Sequence, residues 1–136
     1  MGTLEVTFDA ARGQFCFTAE GELESTEFRR TMEAWIAASG VAEFEHDRLW
    51  DLRAYSGTVT HEDVRHLGRL LRDAGANMPR GRTVFVSTDA GFGLWARTMQ
   101  LELPLRPMTT VASMEVAEML LGTPPATAAR RSGSAI

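Results

Sequence analysis

At 136 residues the chain suits one domain, long enough to bury about two-thirds of its unfolded surface without covalent staples. Its formal net charge is -4, and since counterion release needs clustered positive charge, nucleic acid is not an expected partner; every cation is an arginine, which carries little mechanistic weight. One cysteine, Cys16, excludes an intrachain disulfide, and no apolar run reaches membrane-spanning length.

Thr3 to Phe8 alternates, with Leu4, Val6 and Phe8 on one face, which predicts a half-buried strand. Asp9 to Gly13 reads as a turn, and Gln14 to Ala19 as a second strand, so the two form a hairpin. Ser25 or Thr26 can cap a first long helix carrying Phe28, Met32, Trp35 and Ile36 in one stripe, with Gly40 ending it. Leu49 to Leu52 reads as a third strand after a polar segment, and Tyr55-Ser56-Gly57 as a turn. Thr60-His61-Glu62-Asp63 has the Ser/Thr-x-x-acid pattern of a helix entry, followed by Val64, Leu67, Leu71 and Ala74 as a buried stripe. Arg82 to Ser87 is the clearest strand, being β-branched, aromatic and short. Asp89 is a cap for a third helix with Phe92, Trp95 and Met99, ended by Pro104 and Pro107. Met108 to Val111 is a last strand, and Ser113 caps a last helix with Val116, Met119 and Leu120.

The order is therefore ββαβαβαβα: an α/β fold with a mixed sheet, an N-terminal hairpin then parallel strands, covered by about four helices. The expected domain runs over 1–122, and 123–136, rich in Ala, Ser, Gly, Pro and Arg, is expected to be disordered. Met1-Gly2-Thr3-Leu4-Glu5-Val6 carries neither the basic start nor the apolar stretch of a secretion signal, so a cytoplasmic location is the expectation by elimination.

Leu49-Trp50-Asp51-Leu52-Arg53, then Thr60-His61-Glu62-Asp63, then Gly93 to Met99 after a Val/Phe strand, and Val111 to Leu120 at the close, together resemble a family. The chain looks like a STAS-type domain, in particular the small stand-alone SpoIIAA-like bacterial proteins related to anti-sigma-factor antagonists, over roughly residues 3 to 122. The resemblance implies a non-enzymatic binding or regulatory module. In the antagonist branch a serine after the central strand is phosphorylated, and Ser56 is the nearest counterpart. The family's turn is Asp-Ser-Ser-Gly-like, whereas this chain reads Ala54-Tyr55-Ser56-Gly57-Thr58.

Two surfaces carry the expected interactions. Arg53, Tyr55, Ser56 and Gly57 form a loop beyond the central strand, next to the helix bearing Arg65 and Arg69, the start of the one cationic stripe in an acidic chain. That surface suits a protein partner. The alternative is a carrier or sensor of a small apolar ligand or lipid, in a pocket lined by Phe92, Trp95, Met99 and Met119. A small enzyme using Asp51, Arg53 or Ser87 ranks below both, because no base is fixed beside either serine.

No cofactor or metal is expected. Gly91-Phe92-Gly93-Leu94-Trp95-Ala96 matches a dinucleotide pattern, but it lies in a late βα unit behind Asp89. His61 and His66 are five residues apart, a rotation of roughly 500°, so their rings diverge on a helix. Exposed sheet edges leave room for a homodimer.

Overall fold

The computed structural model describes residues 2–89 and 92–122. The described residues form five strands and five helices in the order β1 (Thr3–Asp9), β2 (Gln14–Leu23), α1 (Ser25–Ala38), α2 (Val41–Phe44), β3 (Asp47–Gly57), α3 (His61–Asp73), β4 (Thr83–Val86), α4 (Gly93–Glu102), β5 (Met108–Val111) and α5 (Met114–Gly122). The strands lie in the sheet in chain order. β1 is antiparallel to β2, and β2 through β5 run parallel. The α/β class, the hairpin and the later parallel strands follow the sequence expectation. The addition is α2, a single turn inside the polar segment before β3.

Strand order decides where the helices go. Right-handed crossovers that always step in the same direction lay their helices on one face of a sheet. Accordingly α1, α3 and α4 share a core with Leu4, Phe17, Leu23, Trp50 and Phe85. Phe17 and Trp50, paired in register on neighbouring strands, stack with centroids 4.5 Å apart. Each large side chain buried here contributes about 1.5–3 kcal/mol. The alternate residues of the same strands, Leu49, Val84 and Val86, face the other way and pack under Ala117 of α5. On that second face Cys16 of β2 packs against the same cluster and Gln14 is buried, whereas Glu5, Thr7 and Glu20 remain exposed.

Local chemistry explains several boundaries. Thr60 Oγ1 accepts from the Asp63 N–H while an Asp63 oxygen accepts from the Thr60 N–H, the expected reciprocal cap. Ser113 Oγ accepts from the Val116 N–H and starts α5 as expected. Two expectations are corrected. Glu24, not Ser25, precedes α1 in the cap position, and the Ser25 hydroxyl is committed elsewhere. α4 starts at Gly93, with Phe92 and no side-chain cap before it, whereas Asp89 lies in the preceding turn.

At the amino ends of β3 and β4 the fold is pinned by a buried cation. Arg106 is fully enclosed and directs its Nε to Thr83 Oγ1 at 2.8 Å. Its Nη1 donates to the carbonyls of Phe44 and Arg80, and its Nη2 to those of His46 and Arg82. All five N–H groups of the guanidinium are thus used. Burial pulls its pKa down to about 10, with the charge of Asp47 opposing that effect.

Candidate functional site

The sheet has an asymmetric carboxyl end. β3 pairs with β2 from Asp47 to Gly57, but with β4 only from Arg48 to Asp51. Past Asp51, therefore, Leu52–Gly57 has a strand on one side and none on the other among the described residues. β2 and β3 continue as a ribbon beyond the end of β4, with β1 alongside β2 as far as Glu20 and only the two strands from Gly21 and Tyr55 onward. One extra residue enters β3 on the way, since Thr18 pairs with Asp51 but Glu20 with Ala54. Such a bulge bends the ribbon and re-aims its side chains.

The four residues expected in a loop, Arg53, Tyr55, Ser56 and Gly57, all lie on this ribbon, and the expected turn at Tyr55–Gly57 is strand. Asp51 fixes Arg53: its carboxylate accepts from Arg53 N at 3.2 Å, from Nε at 2.9 Å and from Nη2 at 2.9 Å. Those bonds hold the Asp51 carboxyl below its usual range and the Arg53 guanidinium above its own. Tyr55 points to the helical face, its ring 5.3 Å from Phe92 and 5.7 Å from Trp95 by centroid. Its oxygen accepts from Val59 N at 3.1 Å, and burial raises its pKa. Ser56 is exposed and lies in register with Glu22. A phosphate on Ser56 would meet that carboxylate and not a helix entrance, so the register opposes the serine switch. Gly57 admits no side chain, because a Cβ there would come within 2.2 Å of Leu23 O.

Beneath the ribbon sits a carboxylate that motif reading treated only as a cap. Asp63 is 3% exposed and joins three elements. Its Oδ2 accepts from Ser25 Oγ at 2.5 Å and from Thr60 N at 2.9 Å; its Oδ1 accepts from Arg29 Nε at 2.7 Å. Burial alone pushes this carboxyl up. The bonds from Ser25, Thr60 and Arg29 outweigh that and bring it down to about 2. The start of α1, the start of α3 and the loop leading from the ribbon are thus tied to one anion. The Thr60–Asp63 spacing was the available signal, but Ser25 and Arg29 lie 38 and 34 residues away in sequence.

The cationic stripe on α3 is largely neutralised within the molecule. Arg65 pairs with Glu62 at 3.1 Å. Arg69 and Arg72 both reach Glu102 of α4, at 3.8 and 2.7 Å. His66 contacts Glu33 of α1 at 2.9 Å, and His61 is exposed.

The four candidates for an apolar pocket are not brought together. Phe92, Trp95 and Met99 lie on the helical face, with Trp95 and Met99 packed into the core. Met119 lies on α5, across the sheet and 66% exposed. Ser87 is buried, with its Oγ accepting from Asp89 N. Gly91 of the glycine pattern and the segment 123–136 fall outside the described residues.

Among the described residues no helix is long and apolar enough to cross a membrane. In comparison with known proteins, no family model matches the chain and no curated protein is detectably similar to it.

Proposed function

We propose that the chain is a non-enzymatic, STAS-like binding module that captures a protein partner on the projecting β2–β3 ribbon. The observation that carries the reading is the unpaired side of β3 from Leu52 to Gly57. An extended segment of a partner can add to such an edge through main-chain hydrogen bonds. Arg53, oriented by Asp51, and the exposed Ser56 supply side-chain contacts beside that edge. The Asp63 cluster supports the reading in a second way, because it makes the ribbon's base rigid, and a rigid edge loses little entropy on binding. The strand order with its antiparallel opening hairpin supports the STAS resemblance.

Arg65 and Arg69 become secondary contributors here, since their charges are already paired within the chain. The ligand-carrier alternative would require the packed rings of Tyr55, Phe92 and Trp95 to part.

The test is photo-crosslinking in lysate of the source cells, from a probe at Ser56 and from a control probe at the exposed Ala37 of α1. The expected result is a species trapped from position 56 alone, competed away by unlabelled protein and lost in Ala54→Pro. Identical sets of products from both positions would remove the ribbon as the binding surface.

A further inference from the structure

We infer that a second copy of this chain pairs with the first along β1, antiparallel, to form one continuous ten-stranded sheet. The inference stands apart from the partner reading, because it uses the other edge of the ribbon's sheet.

The two outer edges of the sheet are guarded differently. β5 is four residues long, and a short edge offers little to a neighbouring strand. β1 is seven residues long, without proline, arginine or lysine. Its register with β2 is unbroken from Thr3↔Glu20 to Asp9↔Gln14, so no bulge twists the edge away. Of the usual protections of an edge strand, only two acids, Glu5 and Asp9, are present along β1. It also carries unspent apolar surface. Leu4 and Val6 join the core, but Phe8 is 46% exposed. Beside it, between β1 and α1, runs a groove of about 620 Å³ whose wall includes Val6, Phe8, Phe15, Ala34 and Trp35.

Charge and side-chain alternation select the occupant and its register. A two-fold axis perpendicular to the sheet keeps the helical faces of both copies on the same side. Opposed residues then have numbers of equal parity, because side chains alternate between faces. An axis at Glu5 places Glu5 against itself. An axis at Thr7 places Glu5 against Asp9. An axis at Val6 opposes Thr3 to Asp9, Leu4 to Phe8, Glu5 to Thr7 and Val6 to Val6, so that no acid faces another acid and all seven residues are paired. In that register each Phe8 lies against the other copy's Leu4, on the side where the groove opens. The two rim charges of the groove, Glu27 and Arg30, already satisfy each other. The strand is thus self-complementary, as an isologous interface requires.

The register gives a test by charge swap. Thr7 and Glu5 are both exposed on the polar face of β1, so changing them leaves the core intact. Thr7→Glu places an acid against Glu5 twice per dimer; Glu5→Lys added to it restores two opposite-charge pairs. Sedimentation equilibrium over roughly 1–200 µM covers the affinity range to be read. The wild type is expected at twice the 15.0 kDa of one chain. T7E should weaken the dimer roughly ten-fold or more, and E5K/T7E should recover it. Circular dichroism on the same samples establishes that each variant is folded, and E5K/T7E serves as the folded control for T7E. A wild type that stays monomeric across the range overturns the inference. So does a dimer that T7E leaves unchanged, or a T7E loss that E5K/T7E fails to repair.

Discussion

Asp63→Asn isolates the charge at the base of the ribbon. The carboxylate receives Ser25 Oγ, Thr60 N and Arg29 Nε. An asparagine of the same shape has one acceptor oxygen, and its NH₂ must face at least one of those donors. A carboxyl brought from 3.8 to about 2 corresponds to roughly 2 kcal/mol of preference for the ionised form in the fold. Asp63 is nearly enclosed, so little of that is lost to solvent screening, although its partner Arg29 is 39% exposed. D63N should therefore cost about 2 kcal/mol at neutral pH, or about 8 °C in Tm for a chain of this size. The pH dependence carries the sharper content. The folded-state value is depressed, so the stabilisation is complete above the unfolded value near 4 and fades as pH falls toward 2. Urea melts of wild type and D63N at a series of pH values should show a gap that is full at pH 7 and closes below about pH 3. Taking the difference cancels the carboxylates common to both proteins, including Asp51. A gap under about 0.5 kcal/mol at neutral pH, or one of equal size in acid, would refute the argument.

Arg106→Met should cost about 2–3 kcal/mol in a urea melt, since the carbonyls of His46 and Arg80 lose their guanidinium donors while those of Phe44 and Arg82 keep bonds from Arg48, and Arg106→Lys should recover little because an ammonium cannot span them. Arg48→Met should be neutral or stabilising by about 1 kcal/mol, because that buried guanidinium has an unpartnered Nε and is repelled by Arg106; Arg48→Ala should instead cost about 2–3 kcal/mol through the void left beneath Trp35 and Phe44. Gly81→Ala should cost about 2 kcal/mol or more by thermal melt, as φ is +78° and a Cβ would lie 2.6 Å from Glu45 O.

What the sequence made legible was local. Alternation in Thr3–Phe8, the β-branched run at Thr83–Val86 and the Thr60–Asp63 box each depend on neighbours within a few residues, and each forms where expected. The ribbon was misjudged for the opposite reason. Ser56-Gly57 carries a turn signal. Here Gly57 instead lets the backbone of Leu23 approach closely, and β2 supplies the ladder that keeps the chain extended. A contact between residues 34 positions apart overrides a preference written in two. α2 was invisible because four residues are too few to show a helical period.

The four apolar-pocket candidates are divided for a related reason. Met99 and Met119 each sit on a sound helical stripe, but a stripe does not say which face of a sheet its helix covers. Three same-direction crossovers commit α4 to one face, and α5 closes the other, so the sheet divides the two residues. Charge is harder still to read. In a chain whose only cations are arginines, Arg106 looks like Arg65. One is enclosed by carbonyls from two separate segments, and the other lies on an open helix beside Glu62. The difference is set by where Pro104 and Pro107 turn the chain back beneath the amino ends of β3 and β4. The fold thus decides which arginines remain available to a partner. On the ribbon that leaves Arg53, which Asp51 orients without burying.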